Sequence, residues 1–224
     1  MSGKKISKGL YAEILFCLLF LLFPGQIIAE TFSFAANSME SVMAEGRERI
    51  ILTGSAELLS EDNWIFADVI ELYGEDFIFA HCRGRVKVLN NKQGIELFAD
   101  ELFYNRRKKV VRIKGNAVMA DKQNEIVVKG GFIEHWEERD ESIIQLGVRI
   151  LKKDLVCRGE YARYLREEEQ LELAGMPIVY WKGDEYQASK IYIDLKKDKI
   201  RLEGNIRGNV YEANGEEQSG EKGE

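Results

Sequence analysis

Few residues in this chain have the types and spacing that an active site requires. The 224 residues include only two histidines, His81 and His135. Neither lies in a zinc-binding or nucleophile motif, and no glycine-rich phosphate loop is present. His135 falls on the inward face of an expected strand, where a hydrogen-bonded core histidine is the usual interpretation. His81 has no second metal ligand nearby in sequence except Cys82.

Two acidic pairs, Glu75-Asp76 and Glu137-Glu138, have the residue types that glycoside hydrolysis uses as acid and base. Both pairs fall at expected turns, where solvated carboxylates are the ordinary outcome. We therefore expect no enzyme, no catalytic residue, no metal site and no cofactor.

The first 29 residues have the pattern of an export signal. Lys4, Lys5 and Lys8 precede the apolar run 14–23, which Pro24-Gly25 ends shortly before Ala29. We expect a signal peptide over 1–29, cleavage after Ala29 and a periplasmic mature chain. An uncleaved inner-membrane anchor is the alternative.

The charge of the chain argues against nucleic acid as a partner. The net charge is −6, and it becomes −8 without residues 1–29, which carry three lysines and one glutamate. Binding to phosphate backbones depends on cationic neutralisation, so we expect no nucleic-acid binding.

Glycines recur about every thirty residues, at Gly54, Gly84, Gly115, Gly147, Gly175 and Gly204. Such a period is typical of stacked supersecondary units. Apolar residues at alternate positions flank most of these glycines, as at Ile113 and Ala117. A strand is therefore expected to run through each glycine. Gln145, two residues before Gly147, is the exception.

A second strand lies between successive glycines and follows one pattern in all five units. The pattern is an apolar residue, any one residue, Ala or Gly, any two residues, an apolar residue, any one residue and a last apolar residue. Leu97, Ala99, Leu102 and Tyr104 are an example. Strict alternation would place one residue after the small one, so the additional residue predicts a β-bulge. Asp68 and Asp100 would be the outward residues of two such bulges.

These features predict an all-β protein: an open column of about five stacked two-strand antiparallel units, with a continuous apolar interior between two sheets. Polar stretches such as 90–94 and 105–109 have the length of hairpin turns. The column would leave unpaired edges at both ends. We expect a lead-in over 30–47, with a short helix candidate at 38–48, the β-domain over 48–210 and a disordered acidic tail over 211–224.

The two cysteines outside the signal segment, Cys82 and Cys157, take positions that leucine or isoleucine holds in other units. An exported protein permits a disulfide. A buried free thiol also behaves as a small hydrophobic side chain, and this is the interpretation that we favour.

The segments "ILTGSAELLSEDNWIFADVIELYG", "LFADELFY", "IKGNAVMAD" and "LEGNI" resemble the OstA-like domain of the LptA family, the periplasmic bridge of lipopolysaccharide transport. The resemblance covers about residues 48–210. It implies a β-jellyroll that is open like a V, holds lipid A acyl chains along its interior, and stacks end to end with related domains of inner- and outer-membrane partners.

This chain departs from the family pattern in its middle units. Gly130-Gly131 and Gly159-Glu160 replace Ala-Asp, and Gln145, Arg149 and His135 occupy positions where apolar residues are expected. The apolar interior would then be interrupted there.

The resemblance implies a non-enzymatic carrier in outer-membrane biogenesis, whose partners are lipopolysaccharide or a similar glycolipid, membrane transport components at the edge strands, and a head-to-tail homo-oligomer. Alternatives are a closed-core scaffold without lipid, an anchored LptC-like relative, and a β-helix acting on polysaccharide. The expected lipid-groove residues are Ile65, Ala67, Ile70, Leu72, Leu97, Ala99, Leu102, Tyr104, Val128, Ile133, Tyr164, Tyr186, Ala188, Ile191 and Ile193.

Overall fold

The computed structural model describes residues 32–60 and 62–211. The expected signal peptide over 1–29 and all but the first residue of the expected tail lie outside the described residues. In the described part of the chain, no helix is both long and apolar enough to cross a membrane.

In the described residues, sixteen antiparallel strands make up the fold. The first eight are β1 (Phe32–Ala35), β2 (Ser38–Val42), β3 (Arg49–Ser60), β4 (Asn63–Tyr73), β5 (Phe79–Asn90), β6 (Ile95–Asn105), β7 (Val110–Asp121) and β8 (Ile126–Trp136). The others are β9 (Glu141–Lys152), β10 (Leu155–Leu165), β11 (Gln170–Ala174), β12 (Ile178–Trp181), β13 (Asp184–Gln187), β14 (Lys190–Asp194), β15 (Lys199–Glu203) and β16 (Arg207–Asn209). Short 3-10 turns occur at Glu75–Phe77 and Glu137–Arg139.

Strands β3 to β10 form a meander in which each strand is 11 or 12 residues long and changes direction near its middle. The pairing divides at both ends. β2 and β1 pair with different halves of β3, and β11 and β12 pair with different halves of β10. We call the half that contains β2, β11, β14 and β15 half-sheet A. The half that contains β1, β12, β13 and β16 is half-sheet B. The expected open antiparallel all-β architecture is confirmed.

The expected bulges lie where the strands pass from one half-sheet to the other. The register shifts between Phe66 and Val69 and again between Phe98 and Glu101, so Asp68 and Asp100 have no register partner in the ladder. Their side chains point outward. The glycine strands shift too, for example between Lys114 and Ala117. Each long strand therefore bends, and its two halves contribute to facing sheets.

One unit differs from the expected glycine spacing by one position. In β9 the two consecutive residues with positive φ are Leu146 (+67°) and Gly147 (+72°), whereas β7 has Gly115 (+72°) followed by Asn116 (+44°). Leu146 is thus the equivalent of Gly115, and Ile144 is the inward residue two positions earlier. Gln145 and Arg149, expected to interrupt the interior, are exposed on the outside.

The short helix candidate at 38–48 is wrong, because Ser38–Val42 forms β2 and pairs with Arg49–Thr53 of β3. Strand β1 also lies in the segment that we expected to be a lead-in. Pairing with the exposed edge of β3 satisfies backbone groups that a lone helical turn would leave open.

The core fills the space between the half-sheets and extends from Ile50 to Ile193. Cys82 and Cys157 are both free and fully buried in it. The interpretation as core residues is confirmed, and the disulfide alternative is wrong. Burial raises the pKa of each thiol to about 12.

Candidate functional site

The candidate site is the interior between the two half-sheets. All fifteen expected groove residues point into it; thirteen are buried, and Tyr104 and Tyr186 are half-buried against the core. The structure thus brings together side chains from every unit. Their role as lipid-contacting residues stays a prediction.

Small residues stand at the bends because the neighbouring strand approaches closely there. A Cβ atom at Gly130 would lie 2.6 Å from Cγ2 of Ile144, and one at Gly159 would lie 3.1 Å from the carbonyl oxygen of Ala174. Ala67 and Ala99 occupy the same place in their units and are nearly fully buried. Glycine in the middle units is therefore a packing requirement and does not interrupt the interior.

His135 lies on the inward side near the end of β8. Its Nδ1 atom is 3.0 Å from the hydroxyl of Ser142, and its Nε2 atom is 4.0 Å from Asp140. Burial lowers the pKa of His135, partly offset by the nearby Asp140 carboxylate. The side chain is a hydrogen-bonded neutral imidazole at the margin of the core, as expected from the sequence.

His81 lies outside the interior, on the outer face of half-sheet A. Its Nε2 atom is 2.6 Å from Glu101, and its ring stacks on Phe103 with the centroids 3.8 Å apart. No group of three or more His, Cys, Asp or Glu side chains in the described residues could hold a metal ion.

The open side of the column is where the hairpin turns of the two half-sheets face each other, and Arg166 spans it. From the turn after β10 in half-sheet A, its Nε atom donates to Asp121 Oδ2 at 2.7 Å. Its Nη2 atom donates to the Gln93 carbonyl at 2.9 Å and to Gln123 Oε1 at 3.0 Å. We call these contacts the Arg166 clasp. They join one turn of half-sheet A to two turns of half-sheet B.

The clasp is largely shielded from water. The Asp121 side chain is fully buried and that of Arg166 is 14% exposed. Burial disfavours the charge of Arg166, yet its hydrogen bond to Asp121 raises its pKa above the ordinary value. Asp121 also accepts hydrogen bonds from the backbone N–H groups of Gln123 and Asn124 at 3.1 Å. A buried carboxylate with this many donors holds the margin in one geometry.

Other contacts join the same two margins on either side of the clasp. Lys152 lies 3.1 Å from Glu169, and Lys182 lies 2.7 Å from Asp198. At the β1 end, the rings of Phe32 and Phe77 meet edge to face with centroids 6.0 Å apart. The two half-sheets are therefore in contact along much of the open side.

Between the Phe32–Phe77 contact and the clasp, the inward residues nearest the margins are apolar and only half-buried. They are Val88 and Ile95 in half-sheet B and Tyr104 and Val111 in half-sheet A. We call these four residues the apolar margin. Only Tyr104 of these four was among the expected groove residues, although Val88 and Val111 continue the same alternation.

The clasp residues were not found from the sequence. Arg166 and Asp121 are 45 positions apart and lie in ordinary polar turns. No local spacing distinguishes them from solvated turn residues.

No protein-family model matches this chain, and no curated protein is similar to it in sequence. Among solved structures, the chain is similar to LptH, the LptA homologous periplasmic component of the lipopolysaccharide transport device from Pseudomonas aeruginosa. The alignment covers 82% of this chain and 96% of that chain, with 10% sequence identity and a TM-score of 0.26. At this TM-score the likeness carries no conclusion about the function of this chain.

Proposed function

We propose that this chain is a non-enzymatic periplasmic carrier of the OstA-like type, which shelters the acyl chains of lipopolysaccharide or a related glycolipid. In this proposal it bridges the inner and outer membranes by end-to-end β-strand pairing with transport components or with further copies of itself. The sequence motifs support the OstA-like type, and the apolar interior supports the sheltering of acyl chains.

The observation that carries the proposal is the continuity of the apolar interior. Every unit from β3 to β14 contributes inward apolar side chains from both half-sheets. Of the three polar residues expected to interrupt this interior, Gln145 and Arg149 are on the outside, whereas His135 lies on the inward side at the margin, where it contacts the hydroxyl of Ser142. A hydrocarbon chain along the centre of this axis would meet mainly apolar side chains, with the polar groups His135, Ser142 and Asp121 at the margins.

The energetic need for such a path is large. Exposing a 14-carbon acyl chain to water costs on the order of 10 kcal/mol, at about 0.8 kcal/mol per methylene. A glycolipid that crosses an aqueous compartment therefore requires shelter at each step. No bond is made or broken in such a process, so no catalytic residues are required.

Entry of an acyl chain requires the two margins to separate, because the inward side chains already contact one another. The apolar margin offers hydrocarbon contacts to an entering acyl chain. We therefore place entry at Val88, Ile95, Tyr104 and Val111, between the Phe32–Phe77 contact and the clasp.

A closed-core scaffold that binds no lipid is the second candidate, and one observation favours it. Ile70, Val128, Ile133 and Ile191 are fully buried by other parts of the same chain, as in a self-sufficient core. An anchored LptC-like relative is a variant of the carrier that differs in whether residues 1–29 remain attached.

Photocrosslinking separates the carrier from the scaffold. Para-azidophenylalanine at Tyr104 or Tyr186 replaces an inward, half-buried aromatic residue with one of similar size. Matched controls at Phe103 and Tyr192 place the same group on half-buried outward positions of half-sheet A. After illumination of cells, the carrier predicts glycolipid adducts at the two inward sites and none at the controls. Folded protein without adducts at the two inward sites would reject the carrier, and the closed-core scaffold would be the remaining candidate.

A second experiment tests whether the margins must separate. Cysteines at Phe32 and Phe77, whose rings meet across the margins beside the apolar margin, can be bridged with a short bismaleimide in a Cys17→Ser background. The native thiols should not react, because burial raises the pKa of each to about 12. Bridging is expected to abolish adduct formation at Tyr104, and the unbridged double variant is the control. Undiminished adducts in the bridged protein would contradict entry through this side.

A further inference from the structure

The outer face of half-sheet B carries a row of apolar side chains where solvent would be expected. Five side chains that are directly opposite one another across β7, β8, β9, β10 and β12 form a row: Ala120, Val127, Leu151, Val156 and Tyr180. Leu151 and Tyr180 are 39% and 37% exposed, and the other three are half-buried. The row points away from the core, so intramolecular packing does not explain it.

The same row continues toward the β1 end. Leu59, Trp64 and Leu89 are directly opposite one another across β3, β4 and β5, and Trp64 is 42% exposed. Glu96 separates the two parts, and its carboxylate is held by Lys87 at 3.2 Å and by Lys122 at 3.3 Å. A run of apolar side chains across this many strands exceeds the scattered exposure of ordinary surfaces.

A row of cations runs beside the apolar row, one step closer to the bends. Lys129, Arg149 and Arg158 are directly opposite one another on β8, β9 and β10, and all three are exposed. Within the described residues, none of the three forms an ion pair with a carboxylate; the guanidinium carbon of Arg158 lies 5.9 Å from the centroid of the Tyr180 ring. Like charges directly opposite on neighbouring strands repel, so this arrangement costs stability unless an anion lies against it.

The outer face of half-sheet A provides the contrast. There the charges alternate and pair, with Arg112 bound to Glu134, Arg163 to Glu141 at 2.6 Å, and Lys190 to Glu172 at 3.7 Å. Apolar side chains such as Phe103 and Ile143 also occur on that face, but they lie between paired charges. The two faces of one fold therefore differ in chemistry, and the chain as a whole is acidic, with a net charge of −6.

We propose that the outer face of half-sheet B lies on a membrane surface that contains anionic lipids. The apolar row would enter the boundary between head groups and acyl chains, while Lys129, Arg149 and Arg158 would contact the phosphates. Buried apolar area and attraction to anionic head groups together determine such binding.

Charge complementarity favours a bilayer over a second copy of the chain. Two copies packed face to face through Lys129, Arg149 and Arg158 would bring like charges together. The carboxylates on this face are Glu57 and Glu185 near its ends and Glu96, which Lys87 and Lys122 already neutralise. An anionic lipid surface supplies negative charge along the cation row and hydrocarbon beside it. The inference does not depend on lipid in the interior, because it concerns the opposite side of half-sheet B.

Tryptophan quenching tests the contact at a defined site. In a background without the native tryptophans (Trp64→Phe, Trp136→Phe, Trp181→Phe), one reporter is placed at Tyr180→Trp on the proposed face. Its matched control is Tyr192→Trp on the outer face of half-sheet A. Residues 1–31 contain no tryptophan, so a retained leader contributes no signal.

With phosphatidylglycerol vesicles whose acyl chains are brominated, we expect quenching at Tyr180→Trp and little at Tyr192→Trp. With pure phosphatidylcholine vesicles, we expect quenching at neither position. High salt should weaken the effect, since it screens the attraction between the cations and the head groups. Equal quenching at both positions, or none at Tyr180→Trp, would overturn the proposal.

A charge-neutralising set gives a second measurement. Lys129→Gln, Arg149→Gln and Arg158→Gln together should weaken vesicle binding about a hundredfold, at about 1 kcal/mol for each cation near the surface. The control set Arg83→Gln, Lys114→Gln and Lys190→Gln removes the same charge from the opposite face and should bind like the parent.

Folding of the triple variant with Lys129→Gln, Arg149→Gln and Arg158→Gln is checked by thermal unfolding. Because the three substitutions remove mutual repulsion, its Tm is expected to equal or exceed that of the parent. Unchanged vesicle binding in this triple variant would overturn the proposal. Vesicle binding without interior adducts at Tyr104 would reject the carrier and leave this inference standing.

Discussion

At the scale of single residues, the margin between the half-sheets depends on one buried charge. The carboxylate of Asp121 is removed from water and is compensated by Arg166 and by two backbone N–H groups. Breaking a buried ion pair by removing one partner is costly, because the remaining charge has lost its solvation. Arg166 therefore matters more than the exposed ion pairs of the bends.

Arg166→Met is expected to lower the free energy of unfolding by about 3 kcal/mol, because Asp121 remains buried without its cation. Urea unfolding measures this change. The double variant Asp121→Asn with Arg166→Met should recover much of the loss, since asparagine retains an acceptor for the turn N–H groups and carries no charge.

The exposed pair of Arg85 and Asp68 is the surface control. Its Nε to Oδ1 distance is 2.9 Å, but solvent screens the attraction, so Arg85→Met should change stability little. If the double variant at the clasp is as unstable as Arg166→Met alone, an uncompensated charge is not the cause.

His135 should make the fold sensitive to mild acid. Burial lowers its pKa in the folded protein, whereas the unfolded value is about 6.5. Below about pH 6.5 the unfolded chain takes up a proton that the folded chain resists, so stability is lost as the pH falls and is fully present above that value.

NMR titration of the two imidazoles checks the cause, with His81→Gln used to assign the signals. The dependence of unfolding free energy on pH, between about pH 7 and pH 5, should be smaller in His135→Gln than in the parent. A pKa for His135 at or above the ordinary value would contradict the prediction.

At the scale of elements, the recurring unit is a bent strand whose corner has two consecutive left-handed residues. Gly54-Ser55, Gly84-Arg85 and Gly115-Asn116 all have positive φ. In these corners the glycine lies against a side chain of the neighbouring segment, as Gly115 does against Asp100 of β6 and Gly54 does against Asn37 between β1 and β2. The glycines are thus required by conformation and by space together.

A comparison of Gly115 with Gly147 separates the requirement for a left-handed conformation from the requirement for space. Gly115 and Gly147 both have φ of +72°, but a Cβ at Gly115 would lie 2.9 Å from the Cβ of Asp100, while one at Gly147 would meet nothing within 4 Å. Gly147→Ala should therefore cost roughly 1–2 kcal/mol for the left-handed conformation alone. Gly115→Ala should cost about 1–3 kcal/mol more, because of crowding.

Thermal or urea unfolding of both variants gives the comparison. Adding Asp100→Gly to Gly115→Ala removes the crowding atoms and should return the loss toward that of Gly147→Ala. Equal losses in the two single variants would mean that conformation alone explains the glycines.

At the scale of the whole molecule, the described column has free strand edges at both ends. β1 and β2 lie at one end, and β15 and β16 lie at the other, each with one described pairing partner. Unpaired N–H and C=O groups at such edges are sites for strand addition. End-to-end association in the proposed function would use them.

Proline at the edge is expected to block this association. Alternate residues of an antiparallel strand direct their N–H groups to opposite sides. Met39 and Glu40 are neighbours in β2, so the N–H group of one points toward β3 and that of the other points toward the free edge. Of Met39→Pro and Glu40→Pro, one should therefore remove only a hydrogen-bond donor at the free edge. That variant should stay folded by circular dichroism and be monomeric by sedimentation at concentrations where the parent associates.

Glu45→Pro, in the turn after β2, is the control for the presence of proline itself and should associate like the parent. If all three proline variants associate equally, pairing through β2 is wrong.

Local patterns in the sequence determined much of the fold. Period-two alternation places side chains on one face of a strand, and a bulge inserts one residue, so the inward residues and the bends at Asp68 and Asp100 were predictable. The unit with Leu146-Gly147 was displaced by one position, because either residue of the left-handed pair can be the glycine.

Only the tertiary structure determined which turns and faces meet. The Arg166 clasp depends on the relative placement of two half-sheets, and the cation row depends on the pairing of β8, β9 and β10. The free edges at β2 and β15 likewise depend on which strand pairs last. Such contacts join residues far apart in the chain, so no local spacing encodes them, whereas alternation and bulges are properties of neighbouring residues.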